Sequence, residues 1–141
     1  MFFNRKVLNT MMLAALMVLP THSETVRASD DQTRVARDII RTLEAYAVYK
    51  MGQYDLAFER YLALAKDGNH QGMLNAAKMY AEGKGVAQSD SESFRWYRTA
   101  AEAGVQTGME ETANAYRKGI GVQKDPERAR YWETRAEEAG R

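Results

Sequence analysis

The sequence predicts an all-α fold, a short right-handed α-solenoid of three antiparallel helix pairs. Three observations carry this. Residues 69–104 and 105–140 are the same 36-residue unit laid end to end, with 12 of 36 positions identical at that offset, where composition alone gives about two. Most of the matches are packing and turn residues, among them Gly72/Gly108, Met73/Met109, Ala77/Ala113, Tyr80/Tyr116, Gly85/Gly121 and Trp96/Trp132, while the charges change. Within each unit the apolar residues recur at three- and four-residue spacing, the period of a helix face. A repeat that keeps packing and varies charge repeats an architecture rather than an active site.

The front of the chain reads differently. Arg5 and Lys6 precede an apolar run from Val7 to Leu19, and Pro20 ends it. Thirteen helical residues span only about 20 Å, short of the ~30 Å hydrocarbon core. The pattern is that of a secretory signal within residues 1–28, cut after Ser23 or after Ala28, and it places the protein in the periplasm or outside the cell. With no cysteine in the chain, neither a lipid-anchored cysteine nor a disulfide is available.

Ser29 and Gln32 have capping-box spacing and open a predicted helix over residues 31–50. Its predicted buried stripe is Val35, Ile39, Ile40, Leu43 and Ala47. A tight turn at Met51–Tyr54 leads into a helix over 55–67, with Tyr54, Ala57, Phe58, Tyr61, Leu64 and Ala65 facing inward and Gly68 ending it. Residues 29–68 thus form a starter pair. In the next unit, 71–82 carries Met73, Ala76, Ala77 and Tyr80, and Gly83 stands where a left-handed helix stop is wanted. Gly85 is expected at positive φ. Ser89 or Asp90 caps the following helix, whose stripe is Ser93, Trp96, Tyr97, Ala100 and Ala101. The last unit repeats the plan, with Asp125 as cap, Pro126 in the first turn, and a stripe of Ala129, Trp132, Ala136 and Ala139.

The pattern Gly72…Ala77-x-Met79-Tyr80-x-x-Gly83-x-Gly85-Val86…Asp90…Trp96-Tyr97-x-x-Ala100-Ala101-x-x-Gly104 resembles the Sel-one-like repeat (SLR) family, longer relatives of tetratricopeptide repeats. The likeness covers residues 53–140, and the starter pair resembles a tetratricopeptide unit. The resemblance implies a non-catalytic α-solenoid that binds another protein, as adaptor, scaffold or regulator of the bacterial envelope. By register with related helical repeats, it implies a concave partner-binding face carrying Tyr46, Tyr49, Lys50, Lys78, Glu82, Asn114, Arg117 and Lys118. Alternatives are a structural or immunity subunit of an envelope complex, or a secreted hydrolase of β-lactam or cell-wall substrates. Such hydrolases among the relatives are cysteine-rich, and this chain is not.

The residues themselves offer little chemistry. His70 is the only histidine beyond residue 28 and lacks convergent partners. The pairs Asp30-Asp31, Glu110-Glu111 and Glu137-Glu138 are adjacent on helices and point apart. Gly83-Lys84-Gly85 follows a helix, not a strand, so it lacks the context of a phosphate loop. No cofactor or metal is expected. Removing residues 1–28 takes away Arg5, Lys6, Arg27 and Glu24 and turns a net charge of +1 into −1, a balance without the basic face that nucleic acid requires.

Overall fold

The computed structural model describes residues 22–141, and side chains from residue 26 onward. The apolar segment 7–19 lies outside the described residues. Among the described residues there are six helices and no strand: α1 His22–Lys50, α2 Tyr54–Lys66, α3 His70–Glu82, α4 Asp90–Glu102, α5 Gln106–Lys118 and α6 Pro126–Ala139. None of them is long and apolar enough to cross a membrane. The chain divides into two compact units, Met1–Val35 and Ala36–Arg141. In the first, the described residues are the start of α1, where Thr33 Oγ1 donates to the Ser29 carbonyl at 2.9 Å and Arg34 pairs with Asp31 at 3.4 Å.

The second unit is the solenoid of helix pairs. Three clusters make its core. Ala45 of α1 packs with Ala57, Phe58, Tyr61, Leu64 and Met79. Ala65, Met73, Ala76 and Ala100 pack with Trp96. Ala101, Met109, Ala113 and Tyr116 pack with Ala129, Trp132 and Ala136. Tyrosine and phenylalanine edges close the gaps, Phe58 on Tyr80 at 5.0 Å and Phe94 on Tyr116 at 5.2 Å, the T-shaped geometry that aromatic quadrupoles favour.

Helix ends follow the local chemistry. Asn69, Ser89 and Asp125 accept from backbone N–H groups of the first turns of α3, α4 and α6, satisfying donors that the helix itself cannot. Gly83 and Gly119 stop α3 and α5 in the left-handed conformation. Gly85 has φ +68°, as expected, and the structure adds a second reason for glycine. A Cβ there would stand 2.1 Å from the Tyr54 carbonyl oxygen, and one at Gly121 would stand 2.1 Å from that of Asp90. Each Gly-x-Gly loop therefore rests on the start of the second helix of the preceding pair. Gly72 and Gly108 do the same between helices, with a Cβ meeting Leu64 and Ala65 at 2.6 Å, or Ala101 and Ala100 at 2.7–2.8 Å.

Several expectations need correction. α1 begins at His22 rather than near residue 31, so Ser29 lies inside a helix and caps nothing. The expected cleavage positions, after Ser23 and after Ala28, lie within the span of α1, which leaves that expectation as it stands. The expected buried stripe of α1 is exposed: Val35 56%, Ile39 56%, Ile40 58% and Leu43 61%, with Ala47 also exposed. The helix turns the opposite side inward, with Ala45 fully buried and Val48 and Tyr49 packed beside it. Periodicity finds a stripe but not the side on which its neighbour lies. Ala139 is exposed, and Gly140 ends α6 with φ −87°, an ordinary right-handed conformation.

Candidate protein-binding surface

One column of side chains runs through the three helix pairs, from the core of the first to the partly exposed side of the others. Positions 61, 97 and 133 are 36 residues apart on α2, α4 and α6, and each is met by residues of the first helices. Tyr61 is buried; burial pushes its phenol above the ordinary value, and Tyr46 and Tyr49 push in the same direction. Tyr97 is pushed up to about 12, first by burial, then by the negative charges of Glu111 and Glu82. Glu133 pairs with Arg117. Along the column the surroundings change from a buried aromatic cluster to acidic to mixed charge.

The middle step borders a cavity. Between α3, α4 and α5 lies a cavity of about 170 Å³, with Phe94, Ala115 and Ile120 as apolar wall and Tyr97, Glu111 and Asn114 as polar lining. Tyr97 reaches this cavity from the second helix of its pair, and the neighbouring first helices supply Ala81 on one side and Glu111, Asn114 and Ala115 on the other.

The expected face is distributed unevenly over this geometry. Tyr46 is 53% exposed. Tyr49 is half-buried and packs against the core of the first pair. Its hydroxyl accepts a hydrogen bond from Lys84 Nζ at 3.1 Å, and its ring meets Tyr54 edge-on at 5.1 Å. Glu82 takes Lys84 at 2.9 Å and Lys78 at 3.9 Å. The Lys84 ammonium, bonded to Tyr49 and then to Glu82, is held well above the usual lysine range. This network fastens the end of α3 to the α1–α2 turn, so Tyr49 is committed to structure. Asn114 lines the Tyr97 cavity, Arg117 pairs with Glu133, and Lys50 and Lys118 are exposed at the ends of their helices.

Tyr97, Glu111 and Lys84 were not among the expected surface residues. The apolar spacing sets Tyr97 on the inward stripe of its helix, whereas the structure leaves it half-buried beside a cavity. The signal available was the 36-residue column itself, Tyr61, Tyr97 and Glu133, which changes from aromatic to acidic along the repeats. Chemically the cavity offers carboxylates, a neutral phenol and an amide beside apolar wall, a hydrogen-bonding and charge-recognising surface. Among the described residues no three His, Cys, Asp or Glu side chains converge to hold a metal ion.

The comparisons with known proteins agree with this architecture. No curated protein matches the chain. Among solved structures, it is similar to a Sel1 repeat protein from Oxalobacter formigenes, with 33% identity and a TM-score of 0.58 over 60% of this chain and 64% of that one. It is also similar to a protective antigen of uropathogenic Escherichia coli strains displaying an SLR fold, with 32% identity and a TM-score of 0.68 over 77% of this chain and 24% of that one. The chain thus spans less than two thirds of either relative. Sel1 repeat proteins are generally protein-interaction modules and typically non-catalytic scaffolds. The Sel1 repeat family matches residues 70–105 and 108–140, the stretch that builds α3 to α6, and the chain belongs to that family.

Proposed function

We propose that this protein is an exported, non-catalytic interaction module of the bacterial cell envelope, periplasmic or secreted, that holds a segment of another protein against Tyr97, Glu111 and the Arg117–Glu133 pair. The observation that carries the reading is the cavity beside Tyr97. Tyr97 is flanked by Glu82 and Glu111 beside an apolar wall, which suits a basic side chain whose aliphatic stem lies on Phe94 and Ile120. Export rests on Arg5-Lys6 followed by the apolar run 7–19. Among the expected residues, Glu82 and Asn114 near Tyr97 and Arg117 paired with Glu133 support this reading, and Tyr97 and Glu111 join them as the proposed centre.

Affinity capture from the envelope of the producing bacterium, read by mass spectrometry, tests the proposal. The wild-type chain and Glu111→Lys are compared, with far-ultraviolet circular dichroism to verify that helicity is unchanged. A protein retained by the wild type and lost with Glu111→Lys supports the groove. Equal retention by both places recognition elsewhere.

A further inference from the structure

Two cavities of the solenoid are one groove in successive repeats. α3 and α5 align end to end at a 36-residue offset, as do the starts of α4 and α6. At that offset Ala81 and Tyr97, which line the cavity of about 170 Å³, become Arg117 and Glu133, which line a second cavity of about 320 Å³. In the first pair, α1 aligns with α3 on their ends, Lys50 and Glu82, and on buried Ala45 and Ala77. The same two positions there are Tyr49 and Tyr61, whose rings belong to one packed cluster. The two cavities lie on neighbouring sides of α5. At about 100° per residue, Glu111, Asn114 and Ala115 face the first, and Glu110, Ala113 and Arg117 face the second about a third of a turn away. With α5 as their common wall, their centres stand roughly one helix diameter apart, ~10 Å.

Both join an apolar floor to carboxylates that lack a cation. Phe94, Ala115 and Ile120 floor the first, and Ala113 and Ala136 the second. In the first, Glu82 is already taken by Lys84, which leaves Glu111 as the charge beside Tyr97. In the second, Arg117 takes Glu133, which leaves Glu110 and Glu137 on the lining. Glu110 accepts from the neutral Gln106 amide at 3.0 Å. Among the described residues no lysine or arginine pairs with Glu110, Glu111 or Glu137. An anion is repelled from both grooves, and a wholly apolar side chain strips water from their carboxylates. A basic side chain suits both halves, its methylenes on the floor and its charge at the carboxylate.

Resting on the reading of Tyr97 and Glu111 as a binding centre, we infer that the bound segment is extended and carries two basic side chains three residues apart, one in each groove, astride α5. A polyproline-type chain rises ~3.1 Å per residue and turns once in three. Its positions i and i+3 therefore point the same way about 9 Å apart, the width of the wall between the grooves. Like-facing positions of a β-strand fall about 7 or 13 Å apart, a poorer match. Asn114 stands on α5 between the two sets of lining residues, and its amide can bond an extended backbone. A helical partner has its own backbone groups paired internally and offers that amide nothing.

Fluorescence anisotropy of dye-labelled synthetic peptides, titrated with the full chain, tests the pairing. Gly-Gly-Lys-Pro-Pro-Lys-Gly-Gly should bind about 5–10-fold tighter than Gly-Gly-Lys-Lys-Pro-Pro-Gly-Gly, of the same composition and charge, and than the one-lysine Gly-Gly-Lys-Pro-Pro-Gln-Gly-Gly. Glu111→Gln, and separately Glu110→Gln with Glu137→Gln, should each bring the first peptide to about the affinity of the one-lysine peptide, with helicity unchanged. Attraction to net charge alone ignores lysine spacing. Equal affinity for the two spacings, binding of no peptide, or a loss confined to the variants of one groove would each overturn the pairing. If a captured partner is nonetheless lost with Glu111→Lys, the Tyr97 centre stands without the second groove; if capture is also indifferent to Glu111→Lys, both fall.

Discussion

Replacing Gly85 with alanine tests two reasons for glycine that combine there, as they do at Gly121, but not at Gly52 or Gly104. Gly85, Gly52 and Gly104 all have positive φ, +68°, +77° and +87°, and a side chain at any of them costs about 1–2 kcal/mol. At Gly52 and Gly104 an added Cβ meets nothing within 4 Å, so the cost ends there. At Gly85 the Cβ would stand 2.1 Å from the Tyr54 carbonyl oxygen and 2.8 Å from the Asp55 nitrogen. Both are backbone atoms held by α2, so the loop itself must withdraw by roughly 1 Å, an overpacking that costs a further ~1–3 kcal/mol. Gly85→Ala should therefore lose about 2–5 kcal/mol, against about 1–2 for Gly104→Ala. Urea denaturation followed by circular dichroism reads the difference. A change of about 1 kcal/mol moves the melting midpoint of a domain this size by about 4–8 °C, so the two variants separate in a thermal scan as well. Equal losses for Gly85→Ala and Gly104→Ala would show that the loop does not bear on α2.

The two tryptophans should not be equivalent. Trp132 is 9% exposed and its replacement by alanine should cost about 3–5 kcal/mol in chemical denaturation. Trp96 is only half-buried, and its indole N–H is buried without an acceptor, so Trp96→Ala should fall at or below the lower end of that range. Tyr97 predicts alkaline sensitivity. Its folded pKa is raised to about 12, above the ~10 of an unfolded tyrosine, so the unfolded chain loses the proton first. The contribution is intact below pH ~10 and is lost as pH rises from about 10 to about 12, at no more than ~1.4 kcal/mol per pH unit. Tyr97→Phe should shallow the fall of the melting midpoint across that window; an unchanged profile would place the phenol in water.

The solenoid was legible because the 36-residue offset fixes register. Once Gly85 and Gly121 align, their turn conformation, the caps Ser89 and Asp125 and the alanine stripes follow from local chemistry. The reading failed where the answer depended on what lies beside an element. In α1, Ile39, Ile40 and Leu43 form a true apolar stripe, and an apolar stripe ordinarily faces the core. Here the core is met by Ala45, which no moment would choose over them. Gly72 and Gly108 were visible as repeated glycines, but the backbone contact that demands them comes from α2 and α4 and leaves no mark at the glycine itself. Tyr97 shows the same limit: its helix face was found, but a groove exists only once α3 and α5 are set on either side of it.

The seating of each Gly-x-Gly loop on the pair before it makes the protein extensible at one phase of its repeat. A 36-residue cassette inserted after Gly104 carries its own loop to cover Asp90 and presents a fresh helix start to the loop that follows, so both junctions are reproduced. Inserted half a period away, the same cassette would leave one carbonyl without its cover and one loop without its seat. Lengthening by whole units, cut at the glycine that ends each pair, is the route by which such a chain can grow its binding face while its core stays the same.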